Sequence, residues 1–212
     1  MKATITGYDG DYLYLKLPYT NTSDFTFKKV KEAEVRLLDG RSISYEQRKK
    51  IYALFRDISN YTGYIPDEVK QIMKADFIAR YGVPEFSLAT VDMTTAYMFI
   101  EHLVYFCLFH GIPCRDSLLE YAPDISRYVY LCLLLKKCCI SGKRAELHHV
   151  DHVGMGRNRN EITHIGMRAM PLSRKYHNEV HQIGQKSFEE KYHVYGVKID
   201  KLIASKYKQI KG

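Results

Sequence analysis

The sequence predicts an α+β protein, with a mainly helical first part that carries a small β-sheet and a last third built of short strands, loops and one helix. Three observations carry this expectation: strict two-residue alternation near the start, helical periodicity through the middle, and an abrupt change of texture near residue 136.

Each element can be justified in order. In "TITGYDGDYLYLKLP", Leu13, Leu15 and Leu17 alternate with Tyr12, Tyr14 and Lys16, so a half-buried strand is expected, with "EAEVRLLDG" as its partner across the polar connection "YTNTSDFTF". Ser44 opens a helix with Gln47 three positions on, a capping-box signature, and Ile51, Leu54, Phe55 and Ile58 follow at i, i+3, i+4 and i+7. Further helices are expected from about 67 to 81, 90 to 110 and 124 to 137, separated by the Gly- and Pro-bearing breaks "YGVPEFSL" and "HGIPCRDS". From Cys138 onward come short strand-like pieces rich in His, Gly and Arg, then a helix from about Ser173. A domain boundary is therefore expected within 136–143.

The totals bound the function. At 212 residues the chain can bury a core without staples. "MKATITGYDGDYLYL" lacks the apolar run of a secretory leader, and "MFIEHLVYFCLF" is too short to span a bilayer, so a cytoplasmic protein with no membrane partner is expected. Five cysteines in apolar contexts such as "YFCLF" and "YLCLLL" suit reduced core thiols. Net charge is +8, and its distribution is lopsided: residues 136–212 hold 16 Lys/Arg against 7 Asp/Glu, whereas residues 1–135 hold 16 against 17. An anionic partner such as nucleic acid is expected at the last third, and the alternative is a merely solvated basic tail.

Nine histidines occur, seven of them between 148 and 193. In "RKYHNEVHQIG", His177 and His181 lie four apart in a helical stretch, so both imidazoles project from one face and can share a metal. In "ELHHVDH", His148 and His149 form a doublet on a strand-like piece, where neighbours point to opposite sides. One can reach the metal while the other turns toward water or phosphate. The alternative is a set of incidental histidines on a basic surface.

This doublet and the HxxxH that follows it resemble the HNH endonucleases, whose pattern runs "HH…N…HxxxH". The similarity is greatest to HNH nucleases of phages that infect Gram-positive bacteria, through "HHV…VGMGRNR…H.GMR…PL…HNE.H.IG…F..KYHV", and covers roughly residues 136–198. The resemblance implies a ββα-metal domain that hydrolyses DNA phosphodiester bonds with one divalent ion, Mg, Mn, Ni or Zn. It implies His148, His177 and His181 as metal ligands and His149 as the general base. The chemistry is coherent, since a divalent ion stabilises the phosphate and its leaving oxygen, and an imidazole can take a proton from water near neutral pH.

Two departures from the family pattern matter. A structural zinc, held by CxxC pairs in many HNH domains, is not expected, because Cys138 would be joined only by Ser141, Ser173 and Tyr176. The middle Asn has no exact counterpart: Arg168 stands nine residues before His177, and His164, Asn160 and Asn158 are the candidates, with His164 favoured. In "VGMGRNRN", Arg157 and Arg159 offer bidentate groups to phosphate, or form a solvated basic turn. Arg168, Arg174 and Lys175 complete the expected DNA contacts. Lys186, Lys191 and the tail "KLIASKYKQIK" either extend this track or form a solvated face.

The region before it, through "ISYEQRKKIYALFRDISNYTGY…VKQIMKADF" and "FSLATVDMTTAYMFIEHLVYFCLFHGIP", resembles the lambdoid Orf (NinB) recombination mediators over about residues 1–120. That likeness implies single-stranded DNA binding and a homodimer, with phage or host recombination proteins as further partners. Clustered Arg48, Lys49 and Lys50, and Tyr12, Tyr14, Tyr61 and Tyr64 as stacking platforms, fit that role. The expected layout is therefore an Orf-like DNA-binding or dimerisation domain at 1–135 and an HNH nuclease domain with a basic tail at 136–212. A metal-dependent endonuclease acting on single-stranded or branched DNA is the expected function. The rivals are a non-catalytic DNA-binding mediator and a sequence-specific restriction or homing nuclease.

Overall fold

The computed structural model describes residues 3–18, 41–151 and 164–207. By compactness the chain forms two units, one ending at Leu37 and the other beginning at Leu38. In the first, β1 (Thr4–Tyr8) and β2 (Leu13–Lys16) pair antiparallel. The turn between them is built by Asp9, whose Oδ1 accepts from the backbone N–H groups of Asp11 and Tyr12, and by Gly10 at φ 104°. The leucine strand is paired with the segment before it, and its expected partner "EAEVRLLDG" lies outside the described residues. The expected half-burial is corrected, since Leu13 and Leu17 are exposed and Leu15 is only partly covered.

The second unit begins with helices whose ends follow the sequence signals. In α1 (Tyr45–Thr62) the Ser44 side chain accepts from the Gln47 N–H, and the Gln47 side chain accepts from the Ser44 N–H. The helix stops at Gly63, φ 81°, where a left-handed residue costs glycine least. Then follow α2 (Pro66–Tyr81), α3 (Met93–His110), the single turn α4 (Leu118–Tyr121) and α5 (Ile125–Leu135). Asp92 and Asp124 cap α3 and α5 by accepting from Thr95 and Arg127 N–H groups. α3, which carries the apolar run, is a core helix, with Phe99, Ile100, Leu103, Val104, Cys107 and Leu108 buried. No helix among the described residues is long and apolar enough to cross a membrane. The Phe77 ring of α2 is the hub of an aromatic cluster with Tyr81, Phe86, Phe99 and His102.

After α5 come β3 (Glu146–His149), β4 (Arg168–Leu172), α6 (Arg174–Ile183), α7 (Gln185–Tyr192), β5 (Val197–Lys198) and α8 (Lys201–Lys206). The strands form an antiparallel sheet in the order β3-β4-β5, with His148 opposite Met170 and His149 opposite Ala169. The described part of the tail "KLIASKYKQIK" is not a wholly solvated face, since Ile203, Ala204 and Tyr207 are buried. Residues on both sides of position 135 share one core: the Tyr207 hydroxyl donates to the Leu133 carbonyl at 2.9 Å, and Tyr130 donates to Asp200 at 2.8 Å.

Candidate metal centre and its acid–base pair

Strand alternation sends the two histidines of β3 to opposite sides, and each meets a different neighbour. His148 faces α6, where His177 and His181 lie one turn apart on the same face. Its ring centroid is 5.0 Å from that of His177 and 5.4 Å from that of His181. One ligand nitrogen from each of the three falls within 4.8 Å of the others. Two nitrogens on a common tetrahedral ion sit about 3.4 Å apart, so small side-chain rotations close the trio on one ion. Burial and the neighbouring imidazoles hold His148 below its ordinary pKa, which keeps it neutral and able to ligate.

Three further side chains hold this trio. Glu146, two residues before His148 and hence on the same side of β3, has Oε2 3.2 Å from His177 Nδ1, which leaves the His177 Nε2 lone pair for a metal. Arg174 fixes the other Glu146 oxygen at 3.0 Å. The Gln185 side chain donates to Glu189 at 2.7 Å, which aims its Oε1 at His148 Nε2, 3.0 Å away. Sequence reasoning missed Glu146 and Gln185 and gave Arg174 only as a DNA contact; alternation along β3 was the available signal for Glu146, and nothing local marks Gln185.

On the opposite side of β3, His149 Nε2 meets His164 Nδ1 at 2.9 Å. His164 is buried and directly precedes the turn into β4. If His149 Nε2–H donates, His149 Nδ1 keeps its lone pair and His164 carries its proton on Nε2. Two imidazoles thus form an oriented pair beside a three-imidazole cluster.

The expected DNA contacts are distributed unevenly. Arg157 and Arg159 lie outside the described residues, as do Asn158 and Asn160. Arg168 is tied to Asp151 by Nε and Nη2 at 2.9 and 2.8 Å, with the Asp151 carboxylate also accepting from its N–H. Arg174 is exposed beyond its pair with Glu146, and Lys175 is exposed, with its ammonium over the Tyr176 ring. Lys191 is bound to Glu179 at 2.6 Å. In the helical part, Arg48 donates to the Ala89 carbonyl and Lys50 to the Glu120 carbonyl, so two of the three clustered cations are turned to protein backbone. Tyr61 and Tyr64 are exposed.

Cys138 is fully buried, and among the described residues the only group of three or more metal-binding side chains is His148, His177 and His181. A model of the family described as "Putative HNHc nuclease" matches residues 23–210. The chain belongs to this HNH nuclease family. The match runs through the helical part as well as the β3–β4–α6 unit. No curated protein and no solved structure shows significant similarity to the chain. Metal dependence is usual in HNH nucleases, and the donor set fits it: His148, His177 and His181 would hold a single divalent ion, softer in preference than Ca.

Proposed function

We propose that this HNH family member is a metal-dependent DNA endonuclease that acts in phage recombination on single-stranded or branched DNA. The observation that carries the reading is the pairing of a three-imidazole cluster on one side of β3 with the His149–His164 hydrogen bond on the other. When bound by His148, His177 and His181, a divalent ion such as Mg, Mn, Ni or Zn would stabilise the charge that develops on the phosphate and its leaving oxygen. His149 accepts a proton from the attacking water at Nδ1 as the new phosphorus–oxygen bond forms and the bond to the leaving oxygen breaks. His164 acts as a positioning residue in place of the family's middle Asn, holding the base through His149 Nε2. Arg157, Arg159, Arg168, Arg174 and Lys175 contact the DNA backbone.

The substrate preference rests on the resemblance of the helical part to the Orf mediators, which also favours a homodimer working in the host cytoplasm. The test is cleavage of labelled single-stranded, branched and random duplex DNA with each of the four metals, with His149→Ala as control. We expect metal-dependent cuts that favour the first two substrates and vanish in the variant while DNA binding persists. No cleavage with any metal would overturn the enzyme reading, and cuts confined to one duplex sequence would replace it with a restriction or homing nuclease.

A further inference from the structure

The end of α5, the turn into β3 and the start of α6 enclose a cleft of about 390 Å³ whose walls include Lys136, Arg144, Glu146, Arg174 and Tyr207. Its charge is three cations against one carboxylate, and that carboxylate already bonds both Arg174 and His177. Neither Lys136 nor Arg144 has an ion-pair partner among the described residues, and both are exposed. Their backbones are nevertheless fixed: Ala145 N–H donates to the Lys136 carbonyl at 2.9 Å, and Lys137 and Arg144 form a β-bridge.

Lys136 is also out of place conformationally. It ends α5 at φ 53°, one of two non-glycine residues with positive φ among those described, at a position where a helix C-cap favours glycine. A lysine kept in a strained backbone, with its ammonium 5.1 Å from the Tyr207 ring centre and facing an anion-ready cleft, points to binding rather than folding. Glu146 connects the cleft to the metal centre, because one of its oxygens faces His177 while its side chain lines the cleft wall.

We propose that this cleft seats a backbone phosphate of the bound DNA strand, next to the one being cut, through Lys136, Arg144 and Arg174. The proposal rests on the nuclease reading and adds a phosphate subsite to it. The cleft has room for a phosphate with its flanking sugars, the three cations match the phosphate charge, and no base-reading group is required, so the contact should be indifferent to sequence.

The test is fluorescence anisotropy of the full chain with a labelled single-stranded oligonucleotide, in EDTA, across a salt series. Lys136→Gly and Arg144→Gln should each weaken binding several-fold and flatten the plot of log affinity against log salt by about 0.7, the value for one lost phosphate contact on a single strand. Lys136→Gly should also melt no lower than wild type, because glycine suits the left-handed backbone; weaker binding without lost stability is what a structural role would not produce. Arg144→Lys should retain most of the slope, and Lys70→Gln, a cation of α2, should leave it unchanged. Calorimetric Ni binding should match wild type in all variants. Unchanged slopes in Lys136→Gly and Arg144→Gln, with wild-type cleavage intact, would sink the phosphate subsite and leave the nuclease reading standing. Flattened slopes with a wild type that cuts nothing would do the reverse, and a wild type that binds no DNA would overturn both.

Discussion

His149 and His164 are joined by one nitrogen-to-nitrogen hydrogen bond of 2.9 Å, with their ring centroids 4.8 Å apart. With His149 Nε2–H as the donor, the bond leaves the Nδ1 lone pair of His149 free, so its loss should harm the base without harming the metal ligands. His164→Ala is expected to lower kcat roughly 10- to 100-fold while calorimetric metal affinity stays near wild type. His164→Asn, which restores a side chain able to bond His149, should recover part of the rate. Equal losses of rate and metal affinity would count against the positioning role.

Glu146 grips His177 from behind, and Arg174 grips Glu146. Removing the carboxylate in Glu146→Ala frees the His177 ring to rotate and to change tautomer. Metal affinity should fall by about 10- to 100-fold, read by calorimetry. Glu146→Gln, which can still accept one hydrogen bond at that site, should fall less.

Gly196 packs against the strand that carries the doublet. A Cβ there would lie 2.5 Å from Val150 Cγ2 and 3.4 Å from the Ala169 backbone nitrogen. Valine has few rotamers to escape into, and Val150 adjoins His149. Gly196→Ala is expected to destabilise the fold by about 1–3 kcal/mol in urea denaturation. It should also reduce cleavage more than a remote variant of equal stability does.

His102 lies among Phe77, Phe99 and Tyr81, and burial holds its pKa below 6.5 despite an Asp76 oxygen 3.1 Å away. His148 is lowered by burial as well. Below about pH 6.5 the unfolded chain gains protons that these rings refuse in the folded state, so stability must fall as pH falls, and neither group contributes a slope well above that pH. The slope should reach up to about 1.4 kcal/mol per pH unit for each group. Denaturation of the metal-free protein between about pH 5 and pH 7.5 measures it, and His102→Gln should flatten it.

The helices were legible because their signals are local. Ser44 and Gln47 reproduce the expected capping box, and each Gly–Pro break separates two helices. The imidazole trio was legible for the same reason, since i, i+4 spacing and a strand doublet are short-range patterns. What escaped depends on pairing at a distance. The pairing of Leu13–Lys16 with Thr4–Tyr8 was not read, although the Asp9–Gly10 turn signals that hairpin. Arg48 and Lys50 read as free cations, and only the fold reveals that the Ala89 and Glu120 carbonyls take them. Gln185 is invisible as a site residue until α7 is laid against β3.

Asp151 and Arg168 close the open end of the β3–β4 pair with an ion pair in which Nε and Nη2 both donate to Asp151 Oδ1, just beyond the Val150–Arg168 backbone hydrogen bond. His164 is anchored four residues before β4 begins at Arg168. The ion pair thus works as a clasp: it keeps β3 and β4 from fraying at the end that carries His149, so the doublet stays in register with Ala169 and Met170.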